Sequence, residues 1–409
     1  MALLLSACGP GDMMSMLPGT GGFRKIAMPQ GQDDANVTGV FCTAIGKCVM
    51  TTHSNTGDPG AVFALSDTAV GEKLVDGVYP GPVPTAAAVL GDLDFDGLDK
   101  TRNGVVARLA ASGAYISATG DITQKSSWTV VPMGREGGDT LPLNAQAALQ
   151  LDASGKTVLI NKRGFVYTSS AAPADSTVWT ELWGPTATPS VPADFAAQLA
   201  LDSRLCDSDV TAGGLPLPSQ PAFISQDLAV MVTVAGGLNQ DGNAPPGVCI
   251  STDQGAHFYS VPFAGTPMSA TSPGPLGVTC IDNDKCWAYN GLQFQEGTAY
   301  IYFSTNASQG KNSTWTRATL PAAFSASDDI SLSGIFFAPD ATHGWAVGNN
   351  SHKALLLRTT DGGKNWTDVS ASVSSVLDND LYNGFAIDAD HIWLSGRFGT
   401  LMTTSTAQK

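Results

Sequence analysis

Four carboxylates crowd into eight residues of this chain: Asp92, Asp94, Asp96 and Asp99, with Gly97 where a tight turn would bend. Alternate carboxylates in such a turn converge on one point, and a hard cation such as calcium takes six to eight oxygens. Without a cation, two carboxylates ~5 Å apart repel by about 3 kcal/mol at an effective dielectric of ~20. The cluster therefore predicts either a calcium site or a solvated acidic loop. The five histidines (His53, His257, His343, His352 and His391) stand apart, and no G-x-S-x-G accompanies them. Nucleophilic catalysis has no motif to rest on.

Cysteine spacing points to a different chemistry. Cys42 and Cys48 share a C-x5-C spacing with Cys280 and Cys286, and both pairs fall between two short apolar runs. Each can close a hairpin as a disulfide, stabilising it by about 2 kcal/mol through loop closure in the unfolded chain. Cys206 and Cys249 then pair by default. C-x-x-C and C-x-x-C-H are absent, so zinc ribbons and c-type haem are disfavoured, and no nucleotide site is expected. An even cysteine count of this kind favours an oxidising compartment over a metal site.

The elements that must hold these residues are short strands. The chain has 409 residues, with 45 Gly, 24 Pro and only 14% charged residues, a composition suited to many turns. Its formal net charge of −15, without a basic cluster, excludes nucleic acid as a partner. Beyond the N-terminus no apolar run reaches the roughly 18 residues needed to span a membrane. An aromatic that opens an outer strand recurs as Trp128, Trp179, Phe258, Trp315 and Trp366, at intervals of 51, 79, 57 and 51 residues. Before each comes a small-residue strand, a polar turn and another strand, as in "GIFFAPDATHGWAVG" and "GFAIDADHIWLSG". Seven such inner strands are expected to start near residues 39, 85, 145, 222, 276, 333 and 383. The last unit lacks its aromatic-led outer strand, and "GFRKIAMP" at residues 22–29 has the missing character. An N-terminal strand that completes the last unit would remove two open sheet edges.

Two turns carry a resemblance. Ser251-x-Asp253-x-Gly255-x-x-Phe258 and Thr359-x-Asp361-x-Gly363-x-x-Trp366 resemble the Asp-box, or BNR, motif of β-propellers. The resemblance implies that Asp253 and Asp361 are structural, each tying down a hairpin between outer strands. Together with the repeat it implies an all-β fold, a seven-bladed β-propeller of four-stranded antiparallel blades closed by an N-terminal strand. Residues 22–409 would form this single domain, with a capping insertion at 184–220. Most of the chain is similar to sialidase-like propellers and to the photosystem II assembly-factor family. The family's basic contact patch is not evident here. Nor is the arginine triad of Asp-box sialidases, since the nine arginines lack the matching context. The D-x-D-x-D-G run at Asp92 resembles the calcium loops of EF-hand and integrin-type propeller repeats, departing at Asn103, where an EF-hand has a bidentate Glu.

The N-terminal "LLLSACGPG" resembles a bacterial lipobox, with Cys8 as the lipidated residue and residues 1–21 as anchor and tether. Gly9 after it resembles outer-membrane lipoproteins, which sets the expected place as the cell envelope or outside the cell. The reading that follows is an exported, lipid-anchored propeller with a non-catalytic binding or assembly role toward a protein or glycan. Contact with the membrane would be through the lipid alone. Two alternatives stand beside it. One is a glycoside hydrolase of the sialidase or xyloglucanase type, with two facing carboxylates; the other is a structural surface or adhesion component.

Overall fold

The computed structural model describes residues 22–53, 60–76, 95–101, 104–109, 114–132, 135–136, 146–151, 157–161, 166–169, 178–183, 223–235, 247–263, 277–290, 299–325, 330–351, 353–374 and 380–404. Seven sheets are formed among these residues. We number them in chain order by their innermost strands: Asn36–Ala44, Phe95–Thr101, Gln146–Leu151, Phe223–Ile224, Gly277–Cys280, Ile330–Phe337 and Leu381–Ala386. Each inner strand packs against the inner strand of the next sheet, and Leu381–Ala386 returns to Asn36–Ala44, so the ring is closed.

Closure is made by strand pairing. Phe23–Lys25 pairs antiparallel with Thr400–Thr404, Phe23 standing opposite Thr404. Ile26, just beyond, is buried and donates its N–H to Leu401 O at 2.8 Å. The strand expected at the N-terminus thus completes sheet 7, mixing the two chain ends in one hydrogen-bonded ladder.

The uniformity expected of the blades is corrected. Six sheets are four-stranded and antiparallel, but sheet 3 has five strands. Its added strand, Arg135–Glu136, lies outside Val178–Trp183 and runs parallel to it. The physical cause is an open outer edge: the chain leaving sheet 2 at Pro132 passes along that edge and satisfies part of it. Seven four-stranded antiparallel blades are therefore not what this chain forms.

A second correction concerns sheet 2. Among the described residues its inner strand is Phe95–Thr101, and the start expected near residue 85 lies outside them. Leu98 packs against the core that sheets 1 and 2 share. Gly97 consequently stands opposite Arg108 in a ladder, beside a register shift, and not at the bend of a turn. Asp92, Asp94, Cys8, Cys206, residues 1–21 and the insertion at 184–220 lie outside the described residues. The backbone of Asp96 and Asp99 is strand.

The core lies between the sheets, as radial packing requires. Trp287 stacks on Phe337 of the next sheet, with ring centroids 3.7 Å apart. Trp287, Trp345 and Trp393, on the second strands of sheets 5, 6 and 7, are almost wholly buried. Such wedges are worth about 3–5 kcal/mol each against truncation to Ala, so the sheets depend on their neighbours.

Candidate functional sites on the two faces

In an antiparallel blade the turn joining the first two strands and the turn joining the last two emerge at the same end. The turn between the second and third strands emerges at the other. The two ends of this ring are built from different chemistry.

At the first end, aspartates organise nearly every described turn of sheets 4 to 7. In sheet 4 the Ser251 hydroxyl donates to Asp253 Oδ1 at 2.9 Å, and the His257 N–H reaches the same oxygen at 2.9 Å. Gly255 N–H donates back to Ser251 Oγ at 2.9 Å. In sheet 6 Thr359, Asp361 and Gly363 make the same set, at 2.8 Å for Thr359 to Asp361 and 3.0 Å for Gly363 to Thr359. Lys364 and Asn365 add backbone donors to Asp361 at 3.1 and 3.0 Å. Phe258 and Trp366 are buried beneath their turns. Gly363 has φ +85°, and a Cβ there would stand 2.2 Å from Trp287 Nε1, so only glycine fits.

Sheet 5 contains a version that the spacing concealed. Ser304 Oγ donates to Asn306 Oδ1 at 3.1 Å, and the Thr314 N–H reaches that oxygen at 2.9 Å, just before buried Trp315. Asn replaces Asp, and the 3-10 segment Ala307–Asn312 separates the polar residue from the aromatic.

The inner hairpins use a second device. Asp282 accepts the N–H groups of Asp284 and Lys285 at 2.9 and 2.7 Å. Asp340 accepts those of Thr342 and His343 at 2.9 and 3.0 Å, and Asp388 those of Asp390 and His391, both at 2.8 Å. The imidazole Nδ1 atoms of His343 and His391 point to the same carboxylates. Trp287, Trp345 and Trp393 follow two residues after the Lys or His, so three consecutive sheets repeat D-x-x-(K/H)-x-W. Cross-ties link neighbours: Asn283 Nδ2 donates to Asp227 at 3.0 Å, and Lys47 pairs with Asp121 at 3.1 Å.

These contacts set the charge state. At Asp253, Asp282, Asp340, Asp361 and Asp388 partial burial pushes the carboxyl up. The bonds donated by His257, the Lys285 and His343 N–H groups, Asn365 and the Asp390 N–H more than reverse it. At Asp227 the Ser225 hydroxyl is the largest influence and already lowers it. All six end below the ordinary carboxylate range. They remain anions that accept hydrogen bonds, opposite to the raised carboxyl a glycosidase uses as its acid.

The disulfides brace this same end. Cys42–Cys48 and Cys280–Cys286 are both formed, each joining residues directly opposite in an inner hairpin. Cys249 is also disulfide-bonded.

The other end differs at sheet 7. The turn Arg397–Phe398–Gly399 joins Ile392–Gly396 to Thr400–Thr404. Arg397 N–H donates to Asp380 O at 3.0 Å, and Thr400 N–H to Arg397 O at 3.1 Å. Phe398 N–H reaches Asn36 Oδ1 at 3.3 Å, and Gly399 N–H reaches Ala35 O at 2.7 Å. Four successive amides are thus tied down, two of them to the start of sheet 1. The Arg397 guanidinium lies 4.6 Å from the Phe398 ring centroid and 3.8 Å from Asp380. Asp380 also accepts a bond from the Asn349 amide. Beside them Tyr382 is half-buried; burial raises its hydroxyl, Arg397 opposes this and Asp380 adds to it. The sequence alone does not bring these rim residues together, because they come from four separate stretches of chain.

Among the described residues, no three potential metal ligands cluster. No protein-family profile matches the chain, and no curated protein matches it in sequence. Solved structures do match in fold. YCF48 from Cyanidioschyzon merolae is 10% identical at a TM-score of 0.60, over 95% of this chain and 100% of its own. A structure of YCF48 bound to D1 peptide is 13% identical at 0.56, over 94% and 97%. The GH74 xyloglucanase of Xanthomonas campestris is 12% identical at 0.55, over 94% of this chain but only 54% of its own. The chain is a β-propeller.

Proposed function

We propose that this protein is a non-catalytic propeller that binds a protein partner, exported and held at the cell envelope through Cys8. The observation that carries the reading is the fate of the carboxylates. The six tested by geometry at the hairpin end are engaged by their own turns and held below the ordinary range. Geometry that occupies an acid as a turn acceptor leaves it neither a proton to give nor a free lone pair to aim. The two hairpin disulfides support an oxidising compartment. A propeller of the same architecture binds a peptide, which is precedent for protein binding at this fold.

Two experiments test it. Purified full-length protein incubated with xyloglucan and with sialyl-lactose should release no reducing ends or sialic acid above a buffer blank. Turnover of either would replace the scaffold reading with the hydrolase one. In exported protein, Cys42, Cys48, Cys280 and Cys286 should resist alkylation until a reductant is added. Ready labelling of all four without reductant would place the protein in a reducing compartment and end the export proposal.

A further inference from the structure

Among the described residues, five other than glycine adopt left-handed backbone: Leu228, Gln254, Ala341, Ser351 and Phe398. An aromatic in this region is strained, because its Cβ crowds the following carbonyl, and the strain persists only where the surroundings over-determine it. Leu228 is compensated, since its side chain is buried in the core between sheets 3 and 4. Ser351 occupies the equivalent turn of sheet 6, at the same φ of 49°, and is small. Phe398 has neither excuse: it is 41% exposed. The four bonded amides of residues 397–400 hold it there. Glycine would fit the conformation without strain, and solvent gains nothing from the ring.

We infer that the Arg397–Phe398 corner is the anchor by which this propeller seizes its partner, a peptide segment that sets a carboxylate beside an apolar side chain. The inference rests on the protein-binding reading above. The ring offers an apolar face fixed in advance, so little entropy is lost on docking. Arg397 is half-exposed, and its contact with Asp380 is long at 3.8 Å, which leaves guanidinium donors for a carboxylate from outside. The exposed guanidinium is cationic, and an acidic group is the complement it selects. Aromatic and arginine side chains of this kind dominate binding energy at interfaces.

The test uses a random dodecapeptide library displayed on phage and selected on the full-length protein. Enriched peptides should share an Asp or Glu next to a Leu, Phe or similar residue. Phe398→Gly should weaken them about tenfold or more while raising the melting temperature by about 1–2 °C, because strain is released. Arg397→Gln should weaken them by a similar factor and abolish the preference for the acid. A purely structural role for Phe398 predicts the reverse pattern, a lower melting temperature with unchanged binding, and would overturn the inference. So would peptides that bind Phe398→Gly as tightly as the parent, which leaves the scaffold reading standing with its site elsewhere. Failure of any peptide to enrich, binding to a glycan array that Phe398→Gly abolishes, or self-association that the same variant removes would each overturn it.

Discussion

The two ends of this ring spend their polar groups differently. At the hairpin end, Asp253, Asp282, Asp340, Asp361 and Asp388 each accept two or more donors from within the same turn. At the opposite end the Arg397 turn is secured mainly through its backbone amides, one of them held by the Asn36 side chain, while Arg397 and Phe398 are partly exposed. Where side chains hold the turn, they are unavailable for anything else. Where the backbone holds it, the side chains are free to recognise. The contrast teaches that a propeller's decorated face need not be its working face.

The largest expected effect probes what both ends share. Deleting residues 22–29 removes the closing strand with buried Ile26 and loosens the approach to Ala35 and Asn36, which hold the Phe398 turn. Differential scanning calorimetry should show the melting temperature falling by more than about 10 °C or the transition losing cooperativity. A normal melt would mean that closure contributes nothing to either end.

Acid should separate the ends next. The hairpin carboxylates have folded-state values below their unfolded ones, so their stabilisation is present above about pH 4, the unfolded value. It is lost as pH falls through the depressed folded values. Urea midpoints should hold steady from pH 7 to 5 and fall steeply below pH 4. A flat profile to pH 2 would show that the turns do not depend on these anions.

A single substitution sharpens the contrast further. Asp361→Ala strips the acceptor for Thr359, Lys364 and Asn365 and should cost about 2 kcal/mol in urea unfolding. Arg397→Gln should stay within about 0.5 kcal/mol, because its side chain holds nothing buried. Equal losses would erase the distinction between the ends. The smallest effect concerns Asp92, Asp94, Asp96 and Asp99. If they take calcium, adding it at ten times its dissociation constant should stabilise by about 1.4 kcal/mol over chelator. Identical melts would leave them a plain acidic segment.

Much of this was legible in contiguous residues. The C-x5-C spacing placed each cysteine opposite its partner, since a short turn in a hairpin brings such positions together. Trp179, Phe258, Trp315 and Trp366 are buried, as a repeated outer-strand aromatic requires. The N-terminal strand was recognisable because the last unit lacked one. Asn306 was missed because an inserted 3-10 segment broke the expected interval, and Arg135–Glu136 because a two-residue strand has no pattern of its own.

The sequence by itself determined the Asp253 and Asp361 turns, the two hairpin disulfides and the closing strand, because each is made by neighbours along the chain or by a repeat that can be counted. Only the tertiary structure decided that sheet 3 takes a fifth strand and that Asp96 and Asp99 belong to a ladder. It alone brought Asn36, Asn349, Asp380 and Arg397 to one rim. Residues hundreds of positions apart meet there only because the ring closes, and no local preference records where a ring will close.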